Sequence, residues 1–212
     1  GFGSVSGIDL YGEEAGNIPG TKYMNNKYGK YGWATGNLLS FVIGQGDILV
    51  TPMQVVQMMN IIASRGSTYA PSLRINNLSK EFNLSLKSST WDFLQDAIWN
   101  VVNHKYGTGK QARIEGVDVY GKTGTAQVIS REGRLAALGK TDLDLRDHGW
   151  FVFFAPKDNP EIAGVIFVEH AEQGSLGTPI AKHLIETYFA KKEGMPLPQL
   201  EPSTASQLSG VR

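Results

Sequence analysis

The sequence predicts an α+β fold, an antiparallel sheet with helices on both faces, and three observations carry that prediction. Two runs, Trp150 to Ala155 and Ile162 to Glu169, are apolar at successive positions, so strands made from them need cover on both faces. The segment between them, Pro156-Lys157-Asp158-Asn159-Pro160, consists of turn formers and favours a tight reversal, which makes the pair antiparallel. Helix signals then recur before and after these strands, at Thr51-Pro52, Ser89 and Thr178-Pro179.

Each element follows from its residues. Glycines crowd residues 1 to 50, and that stretch reads as loops and turns. Its Lys22-Tyr23, Lys27-Tyr28 and Lys30-Tyr31 steps are compatible with a single-strand nucleic-acid platform, but a tyrosine-rich surface loop fits a neutral chain better. Thr51 is an N-cap, Pro52 the first helical residue, and Gln54 closes a capping box. The helix that follows is apolar on nearly every side through Ala63, too short to span a bilayer, and Gly66 is its expected C-terminal cap. A second helix is predicted from Ser89 to His104, with Trp91, Leu94, Ile98 and Val101 as its stripe. Val117 to Ile129 alternates like a strand, residues 131 to 147 form a charged excursion expected to rim a cleft, and the two apolar strands come next. In the last helix Ile180, Leu184 and Tyr188 align with Ala181, Ile185 and Phe189, and Gly194, Pro196 and Pro198 stop it. Residues 194–212 read as a flexible tail, leaving 1–193 as the folded portion.

Composition narrows the function classes. Lys and Arg number 20 against 20 Asp and Glu, so the chain lacks the basic surplus that phosphate-backbone recognition needs, and a nucleic-acid partner is not expected. With no cysteine there is no disulfide, thiolate metal site or cysteine nucleophile, and no cofactor or metal is predicted. His148 and His170 have no metal-ligand spacing and read as satisfied edge histidines; Asp9, Glu13 and Glu14 read as a solvated acidic loop. Ser175 lacks a nucleophile elbow. The chain opens Gly1-Phe2-Gly3 without an initiator Met and reads as a piece of a longer polypeptide.

One run matches two unrelated motifs. From Gly116 it satisfies G-x-x-x-x-G-K-[ST], the phosphate-cradling P-loop; from Lys122 it reads K-T-G-T, a substrate-binding strand of penicillin-interacting enzymes. A P-loop requires a helix opening at Lys122, and Gly124-Thr125-Ala126-Gln127-Val128 is a poor first turn, so nucleotide binding at 116–123 is kept only as a remote alternative. The K-T-G-T reading requires a strand throughout, with a glycine where a substrate backbone comes close.

The surroundings favour the second reading. Gly1-Phe2-Gly3 with Gly7-Ile8-Asp9-Leu10, Gly16-Asn17-Ile18-Pro19, Gly44-Gln45-Gly46-Asp47 with Thr51-Pro52-Met53-Gln54, and Tyr120 through Ala126 resemble, in that order, the transpeptidase domain of class B penicillin-binding proteins, most of all the penicillin-binding protein 2 group. Tyr11 departs from the proline common there. The resemblance implies the C-terminal half of a serine D,D-peptidase/β-lactamase-like fold. It also implies part of an enzyme that cross-links peptidoglycan stem peptides through a serine acyl-enzyme and binds β-lactams. It assigns Lys122 a catalytic positive charge, Thr123, Gly124 and Thr125 contact with the substrate, and the Thr125 amide a place in the oxyanion hole. Alternation puts Lys122 and Gly124 on one face and Thr123 and Thr125 on the other, so a sheet-edge position is needed to bring them to one ligand.

No serine in the chain has Lys three residues on or Asn two residues on, so the family's S-x-x-K and S-x-N motifs are absent from these 212 residues. The chain alone is therefore expected to be inactive, with the upstream half of the same protein as its necessary partner. Stem peptides, β-lactam antibiotics and a membrane SEDS-type glycosyltransferase are the other implied partners. The implied location is the periplasmic face of the bacterial cytoplasmic membrane, reached through an N-terminal anchor. A non-catalytic module binding β-lactams or muropeptides is the alternative.

Overall fold

The computed structural model describes residues 1–74, 80–128, 133, 144–200 and 202. In chain order the elements are α1 (Thr21–Tyr28), α2 (Leu38–Val42), α3 (Pro52–Ala63), β1 (Ser67–Tyr69), β2 (Glu81–Asn83), α4 (Ser88–Asn103), β3 (Tyr120–Ala126), β4 (His148–Ala155), β5 (Ile162–Val168) and α5 (Gly177–Glu193). β1 and β2 form a small antiparallel pair; the main sheet has the order β3-β4-β5 and is antiparallel throughout.

The central strand β4 shows why both faces are covered. Phe151, Phe153 and Ala155 point to one side and pack with Val119, Val102 of α4, and Ala181 and Ile185 of α5. Val152 and Phe154 point to the other and pack with Tyr120 and with Val55 and Met59 of α3. Each buried phenylalanine contributes about 1.5–3 kcal/mol by leaving water, so the aromatic run of β4 is a main source of cohesion.

The start of α3 is as read from the sequence: the Thr51 hydroxyl accepts from the Gln54 amide at 3.2 Å, and Gln54 Oε1 accepts from the Thr51 amide at 2.9 Å. Its end differs, because the left-handed residue after the helix is Arg65 (φ 53°), ahead of the expected Gly66. Arg65 is held there by hydrogen bonds to Asp92, Ser88 and Gln95 of α4. Gly66 is still needed, since a Cβ at its φ of 101° would meet the Leu84 carbonyl and the Trp91 ring.

The buried seam of α4 is Trp91, Gln95 and Val102, displaced from the predicted Leu94 and Val101. Gln95 is buried because its amide caps α3, donating to Ile62 O at 3.0 Å, which an apolar stripe cannot reveal. Ser89 is no cap: Lys87 holds that place with no side-chain hydrogen bond. β3 starts at Tyr120, three residues later than read, because Gly116 (φ 78°) turns the chain and Val117 bridges back to Ile114. In α5, Ala181 and Ile185 are buried and Phe189 packs against them, while Leu184 is 45% exposed.

Residues 1–50 hold two helices that the glycine-rich composition hid. α1 has a polar sequence whose one buried residue is Met24, and it is tied down by Lys27 and Tyr28, which both bond the Asp47 carboxylate. The acidic loop is likewise engaged where a solvated one was expected. Asp9 accepts from the Leu73 amide and from Arg74, and the Leu73 bond first among these holds its carboxyl below the usual value. Glu13 accepts from the Ser6 and Gly7 amides at 2.7 and 3.1 Å. Most of the 131–147 excursion and of the 194–212 tail lies outside the described residues. No described helix is long and apolar enough to cross a membrane.

Candidate functional site

Lys122, Thr123, Gly124 and Thr125 occupy the middle of β3, each paired across to β4, from Val152 opposite Lys122 to Gly149 opposite Thr125. Because Lys122 lies within a strand and opens no helix, the P-loop alternative fails: no stack of helix-start amides faces a phosphate there. Among the described residues nothing strand-like pairs with the other side of β3, so the motif lies on a sheet edge.

The backbone of that edge can be assigned. In a strand the N–H and C=O of one residue point the same way and alternate along the chain. Gln45 Nε2 donates to Thr125 O at 2.7 Å, and Lys122 Nζ donates to Thr123 O at 2.6 Å, so the odd-numbered residues turn their backbone outward. The Thr125 amide therefore points outward as well, between these two carbonyls.

The side chains divide as alternation requires. Thr123 Oγ1 lies 2.7 Å from Thr108 Oγ1, and Thr125 Oγ1 accepts from the Gly174 amide at 3.4 Å, both on the face covered by α5. Lys122 starts from the opposite face and curls over the edge to Thr123 O, which brings its charge beside the outward backbone. Gly124 lies against Trp150, where a Cβ would come within 3.3 Å of the Trp150 Cβ. Gly174, in the 3-10 turn Gly174–Leu176, is placed so closely that its own Cβ would strike the Gly124 carbonyl.

Thr108, Gly174 and Gln45 are the neighbours that motif reading did not assign to the site. Gln45 arrives by a traceable chain of contacts. Asn17 and Leu49 form a two-bond bridge, Asn17 Nδ2 donates to Asp47 O at 2.6 Å, and the Asp47 carboxylate is fixed by Lys27 and Tyr28. The Lys27 ammonium first, then the Tyr28 hydroxyl, holds the Asp47 carboxyl below its ordinary value. The Gly44-Gln45-Gly46-Asp47 loop is thereby pinned and offers Gln45 to β3.

His148 pairs with Ala126 at the end of β3, and each histidine ring has a backbone partner, the His170 Nδ1 lying 3.2 Å from Arg146 O. His148 Nδ1 accepts from the His170 amide at 3.0 Å, and the rings meet edge to face. No group of three or more His, Cys, Asp or Glu side chains suited to a metal occurs among the described residues. Ser175 Oγ donates to Gln173 Oε1 at 3.3 Å, a neutral amide rather than a base.

The chain is thus a helix-covered antiparallel sheet whose outer edge carries Lys-Thr-Gly-Thr. The family model of the penicillin binding protein transpeptidase domain matches residues 1–186, and the chain belongs to that family. Its likeness is to the PBP2, or MrdA, members. The peptidoglycan D,D-transpeptidase MrdA of Haemophilus influenzae is 33% identical over 216 residues, covering 95% of this chain and 32% of that protein. Among solved structures, PBP2 of Helicobacter pylori in complex with MreC has a TM-score of 0.74 at 30% identity, covering 91% of this chain and 34% of that one. PBP2 of Pseudomonas aeruginosa in complex with WCK 5153 also has a TM-score of 0.74, at 27% identity, covering 97% and 43%. The chain spans about a third of the length of the curated relatives it matches.

Proposed function

We propose that these residues form the substrate-binding side of a peptidoglycan D,D-transpeptidase, with β3 as the strand on which the stem peptide pairs. The observation that carries this is the outward Thr125 amide on a sheet edge, flanked by the Lys122 charge. A serine supplied from outside these residues attacks the penultimate carbonyl of a D-Ala-D-Ala terminus. The C–N bond breaks, the terminal D-alanine leaves with the proton on its amine, and the amine of a second stem peptide then takes the acyl group. In the tetrahedral intermediate the negative oxygen requires donors already aimed at it, and the Thr125 amide is one; such a donor is worth about 3 kcal/mol of barrier. Lys122 supplies the charge that draws the substrate carboxylate, with the Thr123 and Thr125 hydroxyls as its hydrogen-bond partners.

The same reading places the longer protein at the periplasmic face of the cytoplasmic membrane, anchored outside this chain. β-Lactams act there as substrate mimics, and a SEDS-type glycosyltransferase is its partner in wall synthesis. Covalent labelling of the full-length protein by a fluorescent penicillin tests it. Lys122→Ala is expected to slow acylation at least tenfold without loss of folded protein, and an unchanged rate would remove Lys122 from the site. Reversible penicillin binding without covalent label would instead favour the non-catalytic module.

A further inference from the structure

The outer edge of β3 is not bare. Gln45 reaches it with both ends of its carboxamide: Nε2 donates to Thr125 O at 2.7 Å, and Oε1 accepts from the Gln127 amide at 3.3 Å. Bonding to the carbonyl of one residue and the amide of the residue two further on is how a parallel strand contacts its neighbour, so one side chain imitates one residue of a paired strand. Lys122 Nζ meanwhile occupies Thr123 O. Both outward carbonyls next to the Thr125 amide are thus satisfied by the protein's own side chains, and no acceptor among the described residues meets that amide. Unpaired strand edges invite pairing with other chains, and side chains that satisfy them are a common protection.

We infer that Gln45 is a placeholder on the substrate edge, a positioning residue that a peptide or β-lactam carrying a backbone-like N–H must displace from Thr125 O. This rests on the functional reading above, in which β3 pairs with substrate. A ligand that puts its carbonyl oxygen on the Thr125 amide brings the neighbouring N–H to the carbonyl of the same residue, where Gln45 now lies. The loop that presents Gln45 is anchored independently, through Asp47 to Lys27, Tyr28 and Asn17, so the side chain can leave while the loop stays. Binding then exchanges one amide hydrogen bond for another and gains less than pairing with a free edge. A ligand without that N–H leaves Gln45 in place, which makes the residue a filter for peptide-like ligands.

The test is stopped-flow acylation of the full-length protein by a fluorescent penicillin, comparing wild type with Gln45→Ala. Loss of a competing neutral hydrogen bond is expected to lower the half-saturating concentration about 2- to 10-fold, with the limiting acylation rate unchanged. A residue that merely stabilises the fold would not split the two constants in this way. An unchanged or raised half-saturating concentration, or a fall in the limiting rate, overturns the inference. In parallel, amide hydrogen exchange at Gln127 in the wild type should speed up on acylation, and an unaltered rate there counts equally against displacement. If the wild-type protein takes no label, the proposed function fails by itself. The placeholder is then decided by titrating both proteins with a peptide ending in D-Ala-D-Ala, where equal affinity for the two rejects it.

Discussion

Gln54 connects the fold to the site, and replacing it gives a quantitative prediction. Its side chain is 2% exposed and fully used: Nε2 donates to Ser4 O at 2.7 Å and to Ala15 O at 2.8 Å, while Oε1 accepts from the Thr51 amide. Ala15 precedes Gly16 and Asn17, and Asn17 forms the two-bond bridge to Leu49 and the contact to Asp47 that steady the Gln45 loop. Gln54→Leu is close in size and removes all three hydrogen bonds, of which the two donated to Ser4 O and Ala15 O hold the N-terminal loop. At about 1 kcal/mol net for each hydrogen bond, opening of the Asn17–Leu49 bridge becomes easier by about 2 kcal/mol. Exchange of the Asn17 and Leu49 amides in the full-length protein should then accelerate about 30-fold, while the amides of β4, held by the core, stay unchanged. Gln54→Glu retains an acceptor for Thr51 but faces two carbonyls with a carboxylate, so it should accelerate exchange at least as much. Acceleration of less than about threefold in Gln54→Leu, or wild-type behaviour in Gln54→Glu, would refute the bonding scheme.

Two further outcomes are expected. Gly174→Ala places a Cβ against the Gly124 carbonyl, which is backbone and cannot rotate away; overpacking of this kind costs about 1–3 kcal/mol and should lower the thermal midpoint by on the order of 5 °C, so an unchanged midpoint contradicts the close packing of that turn on β3. The Asp47 carboxyl, held below its ordinary 3.8 by Lys27 and Tyr28, contributes stability that is complete above about pH 4 and is lost as pH falls through the folded value. Its carbon-13 titration midpoint should lie below 3.8, and Asp47→Asn should abolish the acid-induced loosening of the loop; a midpoint at or above 3.8 counts against the ion pair.

How far the sequence could be read depended on the range of the interactions involved. The Thr51-Pro52-Gln54 cap is complete within four residues and the apolar continuity of β4 reports its burial, so both were legible; β5 is as apolar but only half-buried along its length, because it is the outer strand of the order β3-β4-β5. α1 was not, because its only buried residue is Met24 and its anchor, Asp47, lies far along the chain. Gln54 and Gln95 look like surface residues by type and are buried because their partners are backbone carbonyls of distant loops and helix ends. In the site, alternation showed that Lys122 and Thr123 leave β3 on opposite faces and that an edge position was required. Thr108, Gly174 and Gln45 reach that edge only through tertiary contacts, and the glycines around Gln45 marked a turn without saying what it approaches.

The ending of α3 has a consequence for how the sheet is backed. Arg65 accepts a left-handed backbone, which costs a non-glycine residue about 1–2 kcal/mol, and in exchange binds Asp92, Ser88 and Gln95 through a partly exposed side chain. Surface ion pairs of this kind return about that much at most, so the position is close to neutral in stability. What the arginine adds is angular: contacts to three points on α4 fix the direction in which the two helices cross. α3 lies against β4 and β5 while α4 lies against β3, so this tie between the helices joins the backing of the inner strands to that of the outer one. A glycine at position 65 would take the same backbone without strain and would lose the three contacts that hold α3 to α4.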